Sequence, residues 1–230
     1  MQHQFLETLA VVAFDCDGVI FDSREANVQF YDHILREIGH PLPVQTEQRA
    51  YIHMHPVLES LRFLLGDGEA FQKACRYVRT MDIWPFNKHL QKEPGILEVL
   101  QLAKSCYHTA MATNRTVSTH EVLAHFQLDI YFDLVVSAAD VKRPKPHPDI
   151  MERIQEEFRV APQQILYVGD SAVDEAFAVN TGVFFAAYKN PQLKAHLHIS
   201  HFNQLHAILS NDTGNGAGNG QRPRERASGL

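Results

Sequence analysis

Residues 11–23 read VVAFDCDGVIFDS. Four apolar residues, Val11 to Phe14, lead into Asp15, one spacer, Asp17 and then Gly18. The apolar run begins at Leu9, is short and partly β-branched, and stops at a polar turn, which is the pattern of a buried strand. Two carboxylates at the end of such a strand raise each other's cost of ionisation. That cost is met when a cation sits between them or when one of them does chemistry.

Downstream of this stretch the texture divides in two. From Ser23 to about Glu37, Val28, Tyr31, Ile34 and Leu35 recur at helical spacing,. Residues 45–83 continue as helix in two or three pieces, broken near Pro56 and at Gly66-Asp67-Gly68,. No strand pattern is expected between Ile20 and Lys104. After Pro94-Gly95 helices and strands alternate. Helices are expected at 96–104, 117–126, 149–158 and 172–180, and strands at 107–112, 134–137, 165–168 and 183–188, the last strong one. Alternation of this kind implies a doubly wound parallel α/β sheet with helices on both faces. The helical block interrupts it, so the expected organisation is an α/β core at 1–22 and 89–210 with a helical cap inserted at 23–88. The stretch from Asn211 is rich in Gly, Asn and Arg, and residues 211–230 are expected to be a disordered tail.

Composition bounds the function. The 230 residues carry a net charge of −6, with 45% hydrophobic and 21% charged residues. That is ordinary globular composition, large enough for one core plus an inserted lobe, and it lacks the basic footprint of a nucleic-acid binder. Cys16, Cys75 and Cys106 are far apart and have no metal-ligand spacing, so free thiols in a reducing compartment are expected. The N-terminal residues lack a signal-peptide pattern, and no apolar window approaches the about 20 residues of a membrane span. A cytoplasmic protein without membrane or nucleic-acid partners is the expectation.

Polar clusters recur at the carboxyl ends of the expected strands: Asp15 with Asp17, Thr113 with Asn114, and Asp170 with Asp174. In an open parallel sheet that edge binds ligands at the topological switch point. Lys145, in the segment KRPKPHPD at 142–149, follows another strand and joins them. Carboxylates converging without His or Cys favour a hard cation, Mg²⁺, which keeps coordination free for a phosphate oxygen. A carboxylate can attack phosphorus to form an acyl phosphate, and a second can move the proton. Phosphoryl transfer is mainly positioning and charge neutralisation, and this set supplies both.

With these residues in view, the chain resembles the haloacid dehalogenase superfamily of phosphohydrolases. The four motifs run in order: Asp15-Cys16-Asp17-Gly18-Val19, Thr113-Asn114, Lys145 in Lys-Pro-His-Pro-Asp, and Gly169-Asp170-Ser171-Ala172-Val173-Asp174. The helical insert between the first two resembles the cap of the phosphoglycolate phosphatase and β-phosphoglucomutase branch. The resemblance implies a Mg²⁺-dependent phosphatase acting on a small phosphorylated metabolite, typically phosphoglycolate, as a monomer or homodimer. It implies Asp15 as nucleophile and Asp17 as general acid/base. Thr113, Asn114 and Lys145 would bind phosphate. Asp15, Asp17 through its backbone carbonyl, and Asp170 would hold the metal, with Asp174 a second or supporting ligand. A carboxylate at Asp17 points to phosphate esters, since dehalogenases and phosphonatases of this superfamily lack one there. Val19 and Cys16 depart from the commonest residues of the first motif. Lys142 competes with Lys145, and the Pro-x-Pro-Asp that follows favours Lys145. A phosphomutase and a non-catalytic binding protein are the rival readings. In the cap, His53, His55, Arg49 and Arg62 are expected on solvated faces.

Overall fold

A computed structural model of the chain describes residues 6–43 and 45–215. In chain order the elements are β1 (Val11–Phe14), β2 (Phe21–Asp22), α1 (Arg24–Glu37), α2 (Thr46–Met54), α3 (Val57–Leu65), α4 (Glu69–Val78), α5 (Trp84–Asn87), β3 (Gln91–Lys92), α6 (Ile96–Cys106), β4 (His108–Thr113), α7 (Thr119–His125), β5 (Leu134–Ser137), α8 (Asp149–Phe158), β6 (Ile165–Gly169), α9 (Ala172–Thr181), β7 (Phe184–Tyr188), β8 (Leu197–Ile199) and α10 (Phe202–Asn215).

Six strands pair in the order β5-β4-β1-β6-β7-β8, every pair parallel. Every residue of β1 is fully buried, as a central strand covered on both faces requires. Successive side chains leave a strand on opposite faces. Val12, Phe14, Leu166 and Val168 therefore join one apolar cluster with residues of α6, α7 and α10. Val11, Ala13, Ile165 and Tyr167 join the other, with residues of α8 and α9. The chain leaves β1 for β4 on one side and returns to β6 on the other, so β1 lies at the switch point of the sheet,.

The helical block α1–α5 has a small core of its own, built from Phe30, Tyr31, Ile34, Ile52, Leu61, Phe71 and Ala74. The two chain segments leading into and out of it pair as an antiparallel ribbon, Phe21 with Lys92 and Asp22 with Gln91. This ribbon corrects the expectation of no strand between Ile20 and Lys104. Two-residue strands carry no periodicity, so pairing of the two crossings alone creates them. β8 and α10 also lie beyond the last strong strand expected from sequence. The expected disordered tail from Asn211 instead continues α10 as far as Asn215. Extending a helix already anchored by Phe202, Leu205 and Leu209 needs no new nucleus,. Residues 216–230 lie outside the described residues. Among the described residues no helix is long and apolar enough to cross a membrane, and all three cysteines are free.

Candidate active site

The residues singled out in the four motifs converge at the carboxyl end of the sheet. Asp15 follows β1, Thr113 ends β4, Asp170 follows β6, and Lys145 comes from the loop between β5 and α8. Single carboxylate oxygens of Asp15, Asp170 and Asp174 lie within 4.8 Å of one another. The backbone permits this at two glycines. Gly18, at φ +81°, packs so closely that a Cβ there would meet Asp170 Oδ2 at 2.2 Å. A Cβ on Gly169 would meet that of Asp174 at 2.4 Å.

Lys145 is the charge at the centre. Its Nζ lies 2.9 Å from Asp15 Oδ1 and donates to Asp174 Oδ1 and to the Tyr167 hydroxyl, each at 2.8 Å. Those three contacts use all the donors an ammonium has. Burial opposes the charge on Lys145, but Asp15 and Asp174 hold its pKa above the ordinary value. Lys142, the competing residue, is exposed.

Asp15 Oδ1 also accepts from the Cys16 amide at 2.7 Å, while Oδ2 has no hydrogen-bond partner among the described residues. Burial pushes Asp15 up to about 7, against the pull of Lys145 and with that of Asp174. Asp170 is raised for the same reason, burial first and then the neighbouring carboxylates Asp174 and Asp15. Carboxyls whose charge is disfavoured by burial and by one another are a fitting place for a divalent cation. The donor atoms are all hard oxygens, the set Mg²⁺ prefers.

Asp174 behaves differently. Burial works against its charge, yet Lys145 and its hydrogen bonds hold it below the ordinary value. Oδ1 accepts from Lys145 Nζ and, at 2.6 Å, from the Tyr167 hydroxyl. Oδ2 accepts from the Asp170 and Ser171 amides at 3.2 and 3.1 Å and from Ser171 Oγ at 2.6 Å. Five bonds on two oxygens make Asp174 the brace of the Asp170 loop, which favours the supporting role over direct ligation.

Asn114 and Asp17 each have partners of their own. Asn114 was expected to bind phosphate, but its amide grips the Lys145 backbone: Oδ1 accepts from Lys145 N at 2.9 Å and Nδ2 donates to Lys145 O at 3.1 Å. The same Nδ2 reaches Met54 O of α2 at 3.2 Å. The Asp17 carboxylate does not join the cluster of three. It pairs with Arg115, Oδ1 to Nη1 at 2.8 Å, with side-chain exposures of 17% and 11%. Arg115 Nη2 donates to Asn87 Oδ1 on α5, Asn87 Nδ2 donates to Ser118 Oγ at 2.6 Å, and the Arg115 amide donates to Thr113 Oγ1 at 3.1 Å. Arg115 Nε is buried without a partner among the described residues. Burial disfavours the Arg115 charge, but Asp17 holds its pKa above the ordinary value.

Sequence reasoning missed Arg115, Asn87 and Tyr167. Arg115 stands directly after Thr113-Asn114, so its place in a motif loop was the available signal. Asn87 and Tyr167 carry none. His53 and His55, expected on solvated faces, are half-buried and line the cavity beside Asp15. His53 Nδ1 pairs with Asn27 Nδ2 at 2.8 Å, and burial lowers its pKa against the opposing pull of Asp17. Arg49 and Arg62 do sit on exposed faces, Arg62 paired with Asp67 at 2.7 Å.

The haloacid dehalogenase-like hydrolase family model matches residues 12–188. The chain belongs to this family. A phosphorylated carbohydrates phosphatase of Thermotoga maritima is 27% identical over 76% of this chain and 82% of that protein. A phosphoglycolate phosphatase of Nitrosospira multiformis is 29% identical over 78% and 84%. Against relatives named tyrosine-protein kinase PtkA, from Mycobacterium, the chain spans 61% of their length. A crystal structure of a haloacid dehalogenase superfamily hydrolase from Geobacter sulfurreducens superposes with a TM-score of 0.71 at 35% identity, over 88% of this chain and 97% of that one.

Proposed function

We propose that this family member is a Mg²⁺-dependent phosphatase that hydrolyses a small phosphorylated metabolite through a phosphoryl group carried on Asp15. One observation carries the reading. Asp15 stands at the switch point of the sheet, against Lys145 and beside Asp170, and opens into a cavity of 380 Å³ lined on the other side by the helical cap.

Asp15 Oδ2 attacks phosphorus. The ester P–O bond breaks, and Asp17 gives its proton to the leaving alcohol oxygen. A water then attacks phosphorus and Asp17 takes back a proton. Phosphate leaves, and Asp15 is again a carboxylate. Arg115 holds Asp17 through Oδ1, which leaves Oδ2 for the proton. Lys145 neutralises charge beside Asp15, and Thr113 offers its hydroxyl to a phosphoryl oxygen. Asn114 fixes the Lys145 backbone. Asp15, Asp170 and the Asp17 carbonyl would hold Mg²⁺, with Asp174 bracing the loop. Bound Mg²⁺ supplies the positive charge that lets carboxylates and phosphate approach. The cap, residues 23–88 in this reading, limits water at the site.

Phosphate release from a panel of phosphate monoesters, with Mg²⁺ and with chelator, tests the proposal. Phosphoglycolate serves as the reference substrate, because relatives bear that name. Release that needs Mg²⁺ and disappears in Asp15→Asn supports it. Release unaffected by chelator or by Asp15→Asn overturns it.

A further inference from the structure

The far wall of the cavity has a chemistry of its own. It is made by the cap, and its apolar side chains include Phe30, Ile52, Val57, Ile83 and Phe86, beside Tyr31, His53 and His55. Val57, Ile83 and Phe86 are half-buried, so they present surface to the cavity rather than only to one another. Of the polar groups on that side, Asn27 and His53 are bonded to each other, His55 bonds the Tyr51 carbonyl through Nδ1, and Asn87 is engaged with Arg115 and Ser118.

Two of the three cations that line the cavity are already engaged. Lys145 is 3% exposed and bound to Asp15, Asp174 and Tyr167. Arg115 is held by Asp17 and Asn87, and its remaining Nε is buried away from solvent. Arg24 is exposed and also lines the neighbouring depression beside Asp170 and Glu93. A carboxylate placed against Val57, Ile83 and Phe86 would lose its water, with Lys145 and Arg115 already held by their own partners,. An apolar ring placed there would be released from water at no such cost.

We infer that the substrate is a phosphate monoester of an uncharged alcohol with an apolar, ring-bearing body, seated against Val57, Ile83 and Phe86. The inference rests on the phosphatase reading and narrows its substrate away from phosphoglycolate. The esters to compare are 2-phenylethyl phosphate and phosphoglycolate. Both release an alkyl alcohol, so leaving-group reactivity does not separate them as it would for a phenol. With Mg²⁺, kcat/KM is expected to be at least about tenfold higher for 2-phenylethyl phosphate, since a few buried carbons suffice for that ratio. An equal or higher value for phosphoglycolate overturns the inference and leaves the phosphatase intact. Release from neither ester overturns both. Val57→Lys and Ile83→Lys, on separate elements of the wall, each introduce a cation. Either is expected to lower the ratio at least about tenfold. A ratio unchanged in a folded variant means that the wall does not touch the leaving group, and that too overturns the inference.

Discussion

Arg115 and Asp17 face each other at 2.8 Å in a nearly closed setting, so removing one leaves the other's charge poorly solvated. Arg115 reaches Asp17 rather than the acidic cluster, which makes it a positioning residue for the acid/base. Arg115→Met should therefore lower kcat/KM on alkyl phosphates by about 100-fold, the scale of general acid catalysis. On 4-nitrophenyl phosphate the loss should be far smaller, because that leaving group needs no proton. An equal loss on both esters would assign Arg115 to phosphate binding instead. Asp15 allows a test without turnover. Burial raises its pKa from 3.8 to about 7, so the folded metal-free chain keeps a proton that the unfolded chain loses above about pH 4. That contribution to stability is present at low pH and fades as pH rises through about 7. Mg²⁺ competes with the same proton. The rise in Tm on adding Mg²⁺ should be small at about pH 5 and larger at about pH 8, and Asp15→Asn should flatten the difference. Equal rises at both pH values would contradict the assignment of Asp15 as a ligand.

The parallel α/β alternation and most element boundaries were legible because each strand ends at a polar break and each helix buries a face at helical spacing. Leu134–Ser137 and Asp149–Phe158 fall where periodicity placed them. β2, β3 and β8 were not legible, since strands of two or three residues exist only through a partner. The motif residues were legible because strand ends concentrate function. The Asn114 grip on Lys145 and the Asp17–Arg115 pair were not, because they join residues 31 and 98 positions apart. Helix α10 escaped notice before a glycine-rich stretch, yet Leu205 and Leu209 are fully buried against the sheet layer. Leu209→Ala should lower stability by about 2–5 kcal/mol in denaturant unfolding, as for other core truncations. A change under about 0.5 kcal/mol, the range of surface substitutions, would mean that α10 does not pack as described.

At the scale of the molecule, two sheet-face clusters hold the α/β core and one small cluster holds the cap. Among the described residues the ties between them include the β2–β3 ribbon, Asn87 with Arg115 and Ser118, Trp84 against His125, and Asn114 with Met54. Regions with less buried apolar surface open at lower free energy. Amides of α2–α4 should exchange hydrogen faster than those of β1, β4 and β6, and uniform protection would contradict a separately organised cap. The same looseness gives substrate a way in, since the cavity lies between cap and core,.

The central claim is that Asp15 carries the phosphoryl group. Acid-quenching the enzyme during turnover with Mg²⁺ and a hydrolysed ester, followed by peptide mass analysis, tests it most directly. A phosphoryl group on the peptide containing Asp15, absent in Asp15→Asn, is the expected result. Continued phosphate release by Asp15→Asn, or a phosphoryl group on any other residue, would contradict the account.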